Sequence, residues 1–131
     1  MPIKIGLAEI RKEKLESELK RLIPEIIKLN VEKIILFGSL VSGEIHQTSD
    51  IDLIVIKKTD KKFLDRLDEF YDQLNPKVAI DIFVYTPEEF EEIKENNLFI
   101  KKALKEGIIL YEKKQERLST EMVFTSSKRF R

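Results

Sequence analysis

The stretch "FGSLVSGEIHQTSDIDLIVI", Phe37 to Ile56, decides how the chain is read. An apolar run enters it through "KIILF", 33 to 37, stops at Gly38-Ser39, and gives way to a ten-residue spacer, "LVSGEIHQTS", before a second apolar run, "DIDLIVI", begins at Asp50. Continuous apolar runs of this length suit strands buried on both faces. A third, "VAIDIFVY", lies at 78 to 85 and also carries an aspartate, Asp81. Side chains alternate along a strand, so Asp50 and Asp52 are expected to share a face, with Ile51 and Leu53 opposite. Carboxylates are seldom taken into an apolar sheet without a compensating cation. Three aspartates on two neighbouring strands therefore read as a divalent-cation site, with Mg²⁺ favoured because it takes few carboxylates and completes its shell with water and phosphate oxygens. Gly38 permits close backbone approach, and Ser39 is expected to cap a short helix whose free N–H groups face an anion.

Working outward, Leu15, Leu19, Leu22, Ile26 and Leu29 repeat at helical spacing, which predicts an amphipathic helix over about 9 to 29 with a kink at Pro24. Leu64, Leu67, Phe70 or Tyr71, and Leu74 predict another from about Lys61, capped by Thr59 or Asp60 and ended before Pro76. Thr86-Pro87-Glu88-Glu89 has capping-box spacing with proline at the first helical position, so a helix starts there. A last helix runs from about Asn97 to Gly107, followed by an edge strand at "IILY", 108 to 111. The fold class is α/β (α+β): one domain with a mixed sheet, helices mainly on one face, and the carboxylates at the opposite, open edge.

Composition closes off several chemistries. The chain has 131 residues and no cysteine, which excludes disulfides, thiolate metal sites and thiol catalysis. His46 is its one histidine, so paired imidazoles are excluded too, and a lone loop histidine is read as a surface residue. Lysines 57 and 58, following an apolar strand, are read as solvated. The absence of a long apolar run or signal-like segment predicts a cytoplasmic protein with no membrane partner. Basic and acidic residues balance at 24 each, which argues against nucleic acid as a partner. The balance is uneven along the chain. Residues 113–131 carry six basic and two acidic side chains, so a basic tail is expected to follow a mildly acidic domain at 1–112.

Gly38-Ser39, a ten-residue spacer, Asp50-Ile51-Asp52 and a later strand bearing Asp81 resemble the signature of polymerase-β-type nucleotidyltransferases. The spacer, "ILFGS", "SDIDL" and "EGIILYE" are most similar to the minimal nucleotidyltransferases of prokaryotes, over about Glu9 to Glu112. That resemblance implies that Asp50, Asp52 and Asp81 hold two Mg²⁺ ions (or Mn²⁺), and that Gly38 and Ser39 hold the phosphates of ATP or another nucleoside triphosphate. It implies transfer of a nucleotidyl group to a hydroxyl, with Asp81 able to draw the hydroxyl proton. It also implies a partner, a small helical HEPN-domain protein of which the chain is the antitoxin; a homodimer is a further possible assembly. Many relatives place arginine just after Gly-Ser, where this chain has Leu40-Val41-Ser42-Gly43. The alternatives are a non-catalytic module that masks its partner, and a small-molecule transferase of the aminoglycoside kind. A chain of this length has little room for the second domain that the latter would use to build a substrate pocket.

Overall fold

A computed structural model describes residues 6–114. Residues 115–131, most of the expected basic tail, lie outside the described residues. The elements run α1 (Leu7–Ile27), β1 (Lys33–Phe37), α2 (Ser39–Ser42), β2 (Ile51–Ile56), α3 (Phe63–Leu74), β3 (Ile80–Tyr85), α4 (Pro87–Ile93), α5 (Leu98–Glu106) and β4 (Ile108–Glu112). The strands form one mixed sheet in the order β3-β2-β1-β4. β1 is antiparallel to both its neighbours, while β2 and β3 are parallel. Among the described residues no helix is long and apolar enough to cross a membrane.

Strand alternation divides the core into two layers. Ile34, Leu36, Ile51, Leu53, Val55, Ile80, Ile82 and Val84 face the two longest helices, meeting Leu15, Leu22 and Ile26 of α1 and Phe70 and Leu74 of α3. Each such fully buried side chain contributes roughly 1.5–3 kcal/mol. The opposite face is smaller: Ile35, Phe37, Ile54 and Ile56 meet Phe90 of α4 and Ile100 and Ala103 of α5. Asp52 and Asp81 fall on this second face by the same alternation, beyond the end of its apolar cover.

Helix starts differ in how far local chemistry sets them. The Thr86 hydroxyl accepts from Glu89 N while the Glu89 carboxylate accepts from Thr86 N, the expected capping box. Asn97 caps α5 through Ile100 N. α3, by contrast, begins at Phe63 after Lys62, with no side-chain cap. Thr59 instead accepts from Lys61 N, closing a turn ahead of the helix. What anchors α3 is Arg66, only 4% exposed. Its Nε donates to Lys61 O at 2.8 Å, Nη1 to Val84 O at 2.9 Å and to Glu89 Oε1 at 2.7 Å, and Nη2 to Glu89 Oε2 at 3.0 Å. One guanidinium thus joins α3, the end of β3 and the first turn of α4, and it holds the Glu89 carboxyl below the usual range. Arg66→Ala leaves two carbonyls without their donor and is expected to cost roughly 2–3 kcal/mol. Thermal unfolding should show a Tm about 8–12 °C lower. Arg66→Lys should recover little of it, since an ammonium lacks the fork; a Tm unchanged in Arg66→Ala would show that apolar packing alone seats α3.

Candidate active site

Gly38 leaves β1 with φ +80° and ψ −153°, a backbone conformation that side chains other than glycine's avoid. The turn brings its Cα against Asp52. A Cβ at this position would lie 2.2 Å from Asp52 Oδ2 and 3.0 Å from its Cγ, so the glycine is required twice, by backbone conformation and by the carboxylate beside it. Gly38→Ala is expected to cost about 1–2 kcal/mol and to push the Asp52 carboxylate out of place. A lower Tm together with a crystal structure of the variant checks both; an unmoved carboxylate would show that the close approach is incidental.

Ser39 is the first residue of α2, and Gly38 occupies the cap position without any side-chain cap bond. The expected serine cap is therefore replaced by a glycine turn, which leaves the Ser39 hydroxyl uncommitted to capping. Val41 N and Ser42 N both donate to Gly38 O, and Gly43 N donates to Ser39 O. Gly43, at φ +85°, closes the turn in the left-handed region.

The parallel ladder sets Asp52 opposite Asp81, and the antiparallel one sets it opposite Phe37, the residue before Gly38. The Asp52 carboxyl is pushed up to about 6, first by burial, then by the facing charge of Asp81 and a hydrogen bond with it that favours the protonated form, and last by the charge of Asp50. Asp50 stands just outside β2, where the ladder no longer dictates its direction. Arg11 of α1 reaches it: Nη2 lies 3.8 Å from Asp50 Oδ1, and Nε donates to the Ser49 carbonyl at 2.8 Å. Sequence reasoning missed Arg11, which sits in the run Arg11-Lys12-Glu13-Lys14 with nothing to mark it out.

Among the described residues no three acidic or histidine side chains are gathered closely enough to hold a single metal ion. The fit to a divalent cation rests instead on the Asp52/Asp81 pair: hard oxygen donors in register, one of them already bearing the penalty of an uncompensated charge, with Asp50 on the flank.

Beside the pair opens a cleft of about 900 Å³. Gly38, Ser39, Ser42, Glu44 and His46 line one side, and Phe99, Lys102 and Glu106 of α5 the other. His46 is exposed there and makes its backbone contact with Ser49 Oγ. Lys57 lies away from this end of the sheet and donates to Leu29 O. The α5 wall was not foreseen from sequence; its signal is Phe99, an aromatic residue adjacent to the Ile100 and Ala103 stripe that packs into the core.

A mixed sheet that delivers a glycine-serine turn and two facing aspartates to one open end is the framework of the nucleotidyltransferase class. The chain belongs to that family: the family model described as polymerase beta, nucleotidyltransferase, matches residues 13–116. Among solved structures, a Sulfolobus solfataricus protein assigned to the nucleotidyltransferases is 20% identical, with a TM-score of 0.58 over 84% of this chain and 91% of that one. A toxin-antitoxin structure with AMP-PNP is 20% identical over 86% of this chain and 83% of that one, with a TM-score of 0.45. Spectinomycin adenyltransferase from Enterococcus faecialis, with ATP and spectinomycin, is 14% identical over 79% of this chain and 57% of that one, with a TM-score of 0.49. No curated protein sequence matches the chain significantly.

Proposed function

We propose that the protein is a divalent-metal-dependent enzyme that transfers a nucleotidyl group, AMP from ATP, to a hydroxyl acceptor. The observation that carries this reading is the Asp52/Asp81 pair, in register across parallel strands and set against the Gly38 turn. Asp52 and Asp81, with Asp50 on the flank, are the residues to hold Mg²⁺ or Mn²⁺; the cations, when bound, neutralise phosphate charge and polarise the phosphoryl oxygens. Gly38 and Ser39 offer the first N–H groups of α2, which have no carbonyl one turn earlier to meet, to phosphate oxygens. Asp81 is exposed at the outer strand of the sheet, where an incoming hydroxyl meets it first. There it accepts the hydroxyl proton as the bond from the acceptor oxygen to the α-phosphorus forms. The bond from that phosphorus to the β-phosphate oxygen breaks, and pyrophosphate leaves. In-line displacement of this kind asks mainly for position and charge from the protein.

The acceptor in this reading is a hydroxyl side chain on a HEPN-domain helical partner, with the chain acting as its antitoxin. The sequence resemblance supports it. The absence of arginine from Leu40 to Gly43 favours a second reading, in which the chain binds nucleotide and masks its partner without turnover. Incubation with α-labelled ATP, Mg²⁺ and the partner encoded beside it decides between them. Label on a partner hydroxyl, with release of pyrophosphate, is the expected result; tight complex formation without label establishes masking.

A further inference from the structure

Three aromatic rings meet on the face of the sheet that carries Asp52. Phe37 and Phe83, from β1 and β3, lie 6.2 Å apart between ring centres, and Phe99 of α5 closes the triangle at 5.5 Å from Phe37 and 5.6 Å from Phe83. Phe37 is 9% exposed, but Phe99 is 50% exposed, and both line the cleft. Phe99 meets Phe37 edge-on, at 84°, and this contact together with Phe83 fixes the ring while half its surface stays open. A large aromatic side chain held rigidly by two others and left half open has lost its rotamer freedom without gaining full burial. It is preorganised to receive a flat apolar surface.

The polar side chains around it differ in kind. Ser42, Glu44, His46, Lys102 and Glu106 are all exposed. Strong discrimination between ligands that differ in hydrogen-bonding groups comes from buried polar atoms, which the wrong ligand leaves unpaired. Exposed groups regain water at little cost, so they distinguish weakly.

We infer that Phe99 is the platform on which the base of the donor nucleotide stacks, and that the cleft holds the base without reading its edge. This deepens the proposed function and rests on it: the phosphates lie at Gly38 and Ser39, and the base extends along the cleft to α5. The ligand class is a nucleoside triphosphate of either purine, bound with similar affinity. Pyrimidines offer a smaller stacking surface and bind more weakly.

Titration with ATP, GTP, CTP and inorganic tripolyphosphate in Mg²⁺, on the full chain, tests this. Stacking on an aromatic side chain is worth roughly 1–3 kcal/mol per base, so Phe99→Ala should weaken ATP and GTP alike by about 5- to 150-fold. Tripolyphosphate, having no base, should bind wild type and variant equally. Phe99→Leu keeps apolar contact with Phe37 and Phe83 but removes the ring; it should reproduce the loss with unchanged Tm, and Phe99→Tyr should restore binding. Wild type should bind ATP and GTP within about tenfold of one another. ATP affinity unchanged in both Phe99→Ala and Phe99→Leu, with tripolyphosphate still bound, overturns the platform and leaves the donor reading standing. A preference for ATP over GTP above about 100-fold overturns the unread edge. Wild type that binds neither tripolyphosphate nor any nucleotide overturns both this inference and the function on which it rests.

Discussion

Asp52→Asn should raise the stability of the free protein at neutral pH and, in the same variant, abolish transfer. The two effects have one cause. The Asp52 carboxyl is pushed up to about 6 by burial, the facing Asp81 and Asp50, so the folded chain holds its proton more tightly than the unfolded chain does. A carboxyl raised in this way favours folding fully below the ordinary value of 3.8. That contribution is lost as pH rises through about 6, and above it the ionised group is a standing penalty. Asparagine keeps the shape and carries no charge. After allowance for solvent screening, the gain is on the order of 1 kcal/mol, or about 3–4 °C in Tm at pH 7.5, shrinking toward zero near pH 4. Against that gain, a divalent cation with ATP should stabilise wild type and leave the variant unmoved, with transfer below about 1% of wild type. The cation-dependent rise in wild type should itself weaken between pH 7.5 and 5.5, because protons and cations compete for the same oxygens. A variant that melts lower than wild type at pH 7.5 would show that Asp52 supports the fold, and the electrostatic account of the pair would be wrong.

The parts of this arrangement that sequence discloses are those fixed by neighbours along the chain. "KIILF" is a strand because Ile34 to Phe37 are all apolar and bury on both faces of the sheet, and Thr86-Pro87-Glu88-Glu89 starts a helix because the cap is complete within four residues. Gly38 and Asp52 announce themselves through types and spacing, and the fold sets them in contact. What stays hidden depends on long-range partners. Lys62 precedes α3 without any capping chemistry, since Arg66 reaches across to Val84 and Glu89 to seat that helix. Arg11 meets Ser49 and Asp50 only after α1 has been laid over the sheet, and one arginine in a run of charges carries no mark of this. Strand alternation, read from sequence, pairs Asp50 with Asp52. The ladder begins at Ile51, so the alternation has no hold on Asp50, and the partner facing Asp52 is Asp81. The α5 wall of the cleft has the same character: Phe99 reads as one more apolar helix residue until β1 and β3 place Phe37 and Phe83 beneath it.

Asp81→Asn separates chemistry from binding. Asp81 is exposed on the outer strand β3, so removing its charge leaves the packing of the sheet untouched, and it relieves Asp52 of the repulsion facing it. Asp52 and Asp50 remain to hold a cation that carries the triphosphate, and nucleotide affinity should fall by less than about tenfold. Transfer is a different matter. The acceptor hydroxyl has to lose its proton as the new bond forms, and asparagine cannot take it, so the rate with saturating ATP should fall by at least ~10²-fold. The fall should appear in kcat, with KM for ATP little changed, because the missing group acts on the acceptor side. A variant that loses ATP affinity and rate together would place Asp81 among the groups that hold the donor, and the proton would need another acceptor. Complex formation with the helical partner supplies the third measurement. Label lost while the complex survives assigns Asp81 to the chemical step; label absent from wild type as well, in a complex that still forms, leaves the carboxylate pair as a nucleotide-binding device and makes masking the activity.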